Sequence, residues 1–406
     1  MENRMEILTA EAVELLKDMI AIPSPSFSES AVCEHISGWL SERDIEHRRV
    51  GNNIIAEHII DPSMPTLMLC AHIDTVSPAE GYGFDPYDPH YDVAADVIGS
   101  AAGQDVGPED IVAGLGSNDD GASVVAMIAA YRYFTQSFWS AVGVENRATP
   151  LAAGGGAHDE GVGGVVFNSH STPGTGTKNL MLVLTCEEER SGRNGMTGLW
   201  PELASKVDFA IVGEPTGMKA ATAERGLLVI DATAYGVSGH AARNEGENAL
   251  YKAMEDIMKL RSHVFGKVSP RMGKVNLNVT QINAGSAHNV IPERCEFVID
   301  IRPTEQYSNE EILEELQGIC QSELKPRNLA NRSSATFEGS PLQKTAEAMG
   351  IETFSSPTTS DWMRITCDAI KMGPGESARS HKKDEFVFVE EIEKGIETYI
   401  QFIKSL

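Results

Sequence analysis

Residues 66–74 read TLMLCAHID, a run of apolar and small residues that closes on a histidine and an aspartate two positions apart. A half-buried strand alternates apolar with polar residues. A run without that alternation belongs to a strand covered on both faces, as in parallel sheets. The design recurs at 179–189, NLMLVLTCEEE, and at 207–215, VDFAIVGEP, each ending on acidic residues. ASVVAMIAAYRYF (122–134) reads as a helix between them. Upstream, Thr9 is placed to cap a helix carrying Val13, Leu16, Met19 and Ile20, and a second helix is expected over 29–42. This α/β alternation predicts a mostly parallel central sheet with flanking helices.

From about residue 218 the pattern changes. RGLLVIDATAYGV (225–237) reads as a strand, NALYKAMEDIMKLRSHV (248–264) as a helix, and KVNLNVTQI (274–282) and CEFVIDIRP (295–303) as strands. EEILEELQGICQSE (310–323) is then a helix and SSATFEG (333–339) a short final strand. The order βαββαβ is a ferredoxin-like α+β unit, large enough to be a domain. It interrupts the first domain, which is therefore discontinuous: 1–217 with 339–406, around an inserted 218–338. Two stretches, 97–110 and 141–177, rich in Gly, Ala, Ser and Thr, fit no element and are read as exposed excursions without chemistry.

The 406 residues include 33 basic and 59 acidic ones, a net charge of −26. Such a surface repels phosphate backbones and anionic lipid, so neither nucleic acid nor membrane is an expected partner. No apolar run approaches the ~18–20 residues that span a bilayer. Six cysteines lie far apart without CxxC spacing, which points to a reduced, cytoplasmic protein rather than a disulfide framework.

Chemistry concentrates where strands end. His72 and Asp74 share one face at the carboxyl end of their strand, where α/β sheets collect ligands, so Asp74 can orient the His72 imidazole. GLGSNDDGA (114–122) sets Asp119 and Asp120 at a helix start; for Asp120 a plain helix cap is an equal reading. Glu187, Glu188 and Glu189 crowd the end of a buried strand, which is costly unless cations are near. Glu214 follows VDFAIV, and His381 follows GPGESARS. Two histidines and three acids so placed suit two zinc ions sharing a carboxylate. No GxSxG nucleophile elbow is present.

With these motifs in place, the sequence resembles the co-catalytic zinc amidohydrolases that include acetylornithine deacetylase, succinyl-diaminopimelate desuccinylase, aminoacylase and carboxypeptidase G. The resemblance runs through LMLCAHIDTV, GLGSNDDGAS, TCEEERSGRNGM, VGEPT, GVSGHAARNEGENAL, HNVIPE, DIRPTE, SPTTSD and GPGESARSHKKDEF, in the family's order over nearly the whole chain. SPTTSD and GPGESARSH stand closest to the acetylornithine deacetylase branch. The resemblance implies a zinc-peptidase-like catalytic domain with a lid or dimerisation domain at 218–338. GYGFDPYDP departs from the family's tryptophan-bearing stretch.

Carried over by position, the resemblance implies two Zn²⁺ per subunit, for which Co²⁺ or Mn²⁺ can substitute. One is held by His72, Asp119 and Glu214, the other by Asp119, Glu189 and His381, with Asp119 bridging. Setting Thr185 on the family's threonine makes Glu188 the general base and Glu189 the ligand. A cis peptide between Asp119 and Asp120 is implied as well. His240 is implied to reach into the partner subunit's site and stabilise an oxyanion, Asn289 and Arg302 to grip a substrate carboxylate, and Thr359 to line the pocket. For Arg302 a strand-end salt bridge is the alternative. The implied activity is hydrolysis of the amide bond of an N-acyl amino acid, N-acetylornithine or N-succinylornithine in arginine biosynthesis, by a homodimer paired through the lid. Succinyl-diaminopimelate desuccinylase, a dipeptidase of the same family and, remotely, a metal-binding scaffold without turnover are the alternatives.

Overall fold

The computed structural model describes residues 2–88, 96–99, 107–136, 178–243 and 245–406. The chain opens with α1 (Glu2–Ile20), α2 (Ser30–Glu42), β1 (Arg48–Val50), β2 (Asn53–His58) and β3 (Thr66–His72). It continues through β4 (Ile111–Ala113), α3 (Ala122–Thr135), β5 (Asn179–Thr185), α4 (Met196–Leu203), β6 (Phe209–Val212) and β7 (Ala220–Glu224). A second unit follows: β8 (Leu228–Tyr235), β9 (Gly239–His240), α5 (Ala249–Ser262), β10 (Asn276–Ala284), β11 (Val290–Ile291), β12 (Arg294–Arg302), α6 (Asn309–Gln317) and β13 (Glu323–Pro326). The last part runs β14 (Ser334–Ala335), α7 (Pro341–Ala348), β15 (Thr353–Ser356), β16 (Asp368–Lys371), β17 (Phe386–Phe388) and α8 (Val389–Ser405).

The large sheet has the order β1-β2-β5-β3-β6-β16-β7-β14, with β15 also on β7. Its middle, β5, β3, β6 and β16, is parallel, and antiparallel pairs flank it. Every residue of β3 is buried. Leu67, Leu69 and Ala71 pack into the layer that holds α1, α2, α3 and α8, whereas Met68 and Cys70 pack into the layer of α4 and Trp362. Two covered faces leave no position for a polar residue, which is why the run is unbroken until it reaches His72. Helix α1 starts at Glu2, so Thr9 lies inside it, buried, rather than at its cap; Leu8 in the preceding turn is already core.

The second unit is an antiparallel sheet of order β10-β12-β8-β13. In β8 buried and partly exposed residues alternate, and Leu228, Ile230, Ala232 and Ala234 face Leu260 of α5 and Ile312 and Leu316 of α6. The element order is βαββαβ, as expected, but its fourth strand is not SSATFEG. Glu323–Pro326 pairs with β8, while Ser334–Ala335 pairs with β7 in the large sheet. A four-residue edge strand that buries Leu324 and ends on proline has too little alternation to announce itself. The 141–177 stretch and residues 100–106 lie outside the described residues, but residues 97–99, expected to fit no element, are helical, and Ile98 is buried against Ile111 and Ala113. Among the described residues no helix is long and apolar enough to cross a membrane.

Leu69→Ala and Met68→Ala delete core volume from opposite faces of one strand. Each is expected to lower unfolding free energy by about 2–5 kcal/mol in urea titrations. A cost below ~1 kcal/mol for either would mean that its face of β3 is not close-packed.

Candidate metal centre

Strand register brings the acidic ends together. His72 sits opposite Thr185 across β3 and β5, and Cys70 sits opposite Val212 across β3 and β6. Glu214, two residues past Val212, therefore comes level with His72, and Glu187–Glu189 leave β5 just beyond it. Asp119 enters from the buried turn Ser117–Gly121 that leads into α3, and its bond to Asp120 is cis. His381 comes from the loop before β17, in the left-handed region at φ 58°.

Asp119 divides its oxygens between two imidazoles: Oδ1 lies 3.2 Å from His72 Nε2 and Oδ2 3.5 Å from His381 Nε2. His381 Nε2 is also 3.0 Å from Glu189 Oε2. Donor atoms of His72, Glu188 and Glu214 lie within 4.8 Å of one another, as do those of His72, Asp119 and Glu189. The five expected ligands and Glu188 thus meet in one cluster. Glu188 stands with His72 and Glu214, and Glu189 makes the contact to His381.

The backbone around the cluster is held by other acids. His72 Nδ1 donates to the Asp74 carbonyl at 2.9 Å, which turns Nε2 toward Asp119. The Asp74 carboxylate stands farther from the ring, 3.5 Å, and accepts instead the N–H groups of Glu188 (2.9 Å) and Glu189 (3.2 Å) and the Ser26 hydroxyl (2.7 Å). Sequence pointed to Asp74 as the histidine's orienter; the shorter bonds make it the anchor of the glutamate pair. Glu187, at φ 60°, turns away to accept the side-chain and main-chain N–H of Asn194. Asp361 accepts the Thr185 hydroxyl at 2.6 Å. Asp361, Asn118 and Glu385 escaped the sequence reading although they lie inside SPTTSD, GLGSNDDGAS and GPGESARSHKKDEF.

Of the residues expected on the lid, His240 and Asn289 lie together, and Arg302 stands at the far end of β12 from them. His240 pairs with Val290 across β9 and β11, and the Ala241 N–H donates to the Asn289 carbonyl at 3.0 Å. The His240 ring is exposed and accepts the Ala242 N–H at Nδ1. Arg302, the last residue of β12, forks onto Asp300 at 2.9 and 3.1 Å, the strand-end pair that was its alternative. Thr359 is half-buried in the loop before the turn Asp361–Met363.

Residues 222–328 match the model of the M20 peptidase dimerisation domain. The chain carries an M20 dimerisation domain. It is 29% identical over 239 residues to an acetylornithine deacetylase of Myxococcus xanthus, a match spanning 52% of this chain and 61% of that one. It is 22% identical over 424 residues to a succinyl-diaminopimelate desuccinylase of Wolbachia pipientis, spanning 97% and 93%. The fold aligns with a dinuclear metal-binding M20 peptidase of Bacillus subtilis at a TM-score of 0.64 and 15% identity, over 98% of each chain.

Two imidazoles and four carboxylates at one end of an M20 fold form a nitrogen and oxygen donor set that fits divalent cations. Electrostatics agree. Burial, reinforced by neighbouring acids, pushes the Glu188 and Glu214 carboxyls well above the ordinary range. For His72 burial acts downward, but hydrogen bonds to Asp119 and Asp74 outweigh it and raise the ring well above its ordinary value. Without a cation, protons fill the places where positive charge is needed.

This arrangement dictates how the metal-free chain responds to pH. Burial lifts Asp120 and Glu385 to about 8 and Asp361 to about 6, and the Glu189 hydrogen bond lifts His381 to about 9. Each binds its proton more tightly folded than unfolded. The stability it contributes is complete below the ordinary value and is lost as pH climbs through the lifted one. Asp74 and Asp119 are held below their ordinary 3.8, so their opposite contribution is lost only as pH falls below it. Melting temperature of the metal-free protein should therefore fall between about pH 5 and 9, and Zn²⁺ should flatten that slope. A metal-free melting temperature that climbs over the same range would contradict the assignment.

Proposed function

We propose that the protein is a metal-dependent hydrolase that cleaves the amide bond of an N-acyl amino acid, with N-acetylornithine or N-succinylornithine as its substrate in arginine biosynthesis. The observation that carries this reading is Asp119 shared between the imidazoles of His72 and His381, with Glu188 beside them. It supports a two-metal centre with a carboxylate able to move protons at its edge. The relatives named deacetylase and desuccinylase support an acyl amino acid rather than a protein substrate. The reading takes 1–217 with 339–406 as the catalytic domain and 218–338 as the lid, with the difference that β7 (Ala220–Glu224) and β14 (Ser334–Ala335) lie in the large sheet. It places the protein in the cytoplasm, where its six free cysteines stay reduced.

His72, Asp119 and Glu214 would hold one Zn²⁺ and Asp119, Glu189 and His381 the other, with Co²⁺ or Mn²⁺ as substitutes. A divalent cation held there would supply a lowered pKa for water and polarisation of a carbonyl. Glu188 takes the proton of the attacking water and returns it to the leaving amine, a task suited to a carboxyl lifted by burial. Asp74 fixes the backbone on which Glu188 stands. Arg302, on releasing Asp300, and Asn289 would grip the substrate carboxylate, and Thr359 would line the pocket.

Glu188→Gln is expected to keep two metals bound while turnover falls by at least ~100-fold. Glu189→Gln is expected to release one metal; the opposite pattern would move the base one residue along. Turnover on acetylornithine, succinylornithine and succinyl-diaminopimelate ranks the acyl groups. Cleavage of dipeptides alone would favour the dipeptidase, and two bound metals without turnover would leave a scaffold.

The dimerisation domain also supports a homodimer in which His240 serves the partner's site and steadies the developing oxyanion. Tyr251, Met254 and Met258, exposed along one stripe of α5, offer apolar surface for that pairing. Glu188→Ala and His240→Ala chains should each be nearly inactive. Mixed with subunit exchange, they should recover about a quarter of wild-type activity, because half the dimers hold one complete site of two. No recovery in verified heterodimers would return His240 to its own chain.

A further inference from the structure

Two loops that carry metal-ligand candidates are tied to each other by side chains outside the donor set. Glu385 is 2% exposed, and its Oε1 accepts the N–H of Asn118 at 3.0 Å and of Asp119 at 2.9 Å. Its carbonyl accepts the Gly114 N–H at 2.9 Å, so both ends of Glu385 bind the segment that ends in Asp119. Asn118, fully buried, reaches the other way. Its Nδ2 donates to the Glu376 carbonyl (3.1 Å) and the Ser380 hydroxyl (3.3 Å), and its Oδ1 accepts the Glu376 N–H (2.9 Å). The loop lies so close that a Cβ on Gly375, at φ 84°, would strike Asn118 Oδ1.

We propose that Glu385 and Asn118 are positioning residues that lock the Asp119 turn to the His381 loop and so set the spacing of one of the two metal sites. This rests on the metal-centre reading above. The β5-β3-β6 register that places His72, Glu188, Glu189 and Glu214 reaches neither Asp119 nor His381, and the β4–β17 pair, with Phe386 opposite Ala113, brings their two segments side by side but ends before both. Beyond that pair, the reciprocal ties of Glu385 and Asn118 hold the turn to the loop. Supporting groups behind metal ligands are worth ~10–100-fold in metal affinity.

The test titrates metal-depleted protein with Co²⁺, following its visible absorption and the heat of binding. Wild type should take up two equivalents. In Glu385→Ala the equivalent that depends on His381 should weaken by ~10–100-fold, and the other, which shares only Asp119 with the tie, should weaken less. Glu385→Gln, which retains an acceptor oxygen in the same place, should restore near-wild-type binding of both. Asn118→Ala cuts only the side-chain half of the tie and should weaken the same equivalent; it decides the matter if Glu385→Ala does not fold by circular dichroism. Uniform weakening of both equivalents, no change in either, or failure of Gln to rescue overturns the positioning role. A wild-type chain that takes up no metal overturns the metal-centre reading itself, and this proposal with it.

Discussion

Carboxyl groups gathered at the ends of β5, β3 and β6 repel one another, and much of the surrounding structure answers that repulsion. The answer comes mainly as oriented dipoles and imidazoles. Main-chain N–H groups of Glu188 and Glu189 point at Asp74, and those of Asn118 and Asp119 point at Glu385. His72 and His381 stand on either side of Asp119. Behind them Lys371, 1% exposed, pairs with Glu224 at 3.1 Å, and its charge also reaches Glu214. A carboxylate in a dry interior persists only with such partners or by keeping its proton, and here both solutions are in use.

The two sheets meet at a narrow double crossing. One strand of chain leaves β7 through Arg225 and Gly226, and the other returns through Asn331–Ser333. They run against each other: the Leu227 N–H donates to the Asn331 carbonyl at 3.0 Å, and a Cβ on Gly226 would fall 2.7 Å from the Ser333 nitrogen. Only glycine allows that approach. The Arg225 guanidinium donates to the carbonyls of Lys274 (2.9 Å) and Arg302 (3.2 Å), so the end of β12 is fastened to the crossing rather than free to follow its own sheet.

The central sheet was legible in the sequence because burial on both faces leaves the interior of β3 and β5 without polar residues, a pattern hard to produce otherwise. The donor cluster was legible because histidines and acids ended each such run. What stayed hidden did so for physical reasons. Strand β13 is short, sits at an edge and ends on proline. Ser334–Ala335 reads like a lid strand but hydrogen-bonds to β7, and only three-dimensional pairing could decide between the sheets. Glu385 looked like one more acid in HKKDEF, since its value lies in two amides more than 260 residues away in sequence. Asp74 shared a face with His72, as its spacing required, yet spent its oxygens on another loop. Sequence spacing tells which side chains can meet, and hydrogen-bond supply decides which do.

Strand β3 carries a further consequence, for how this protein can change in length. Its odd and even residues belong to different cores, and its last residue is His72. Inserting or deleting a single residue within it would exchange the two cores and shift His72 off the level of Thr185 in one stroke. The length of this strand is thus held at once by two cores and by the level of one histidine.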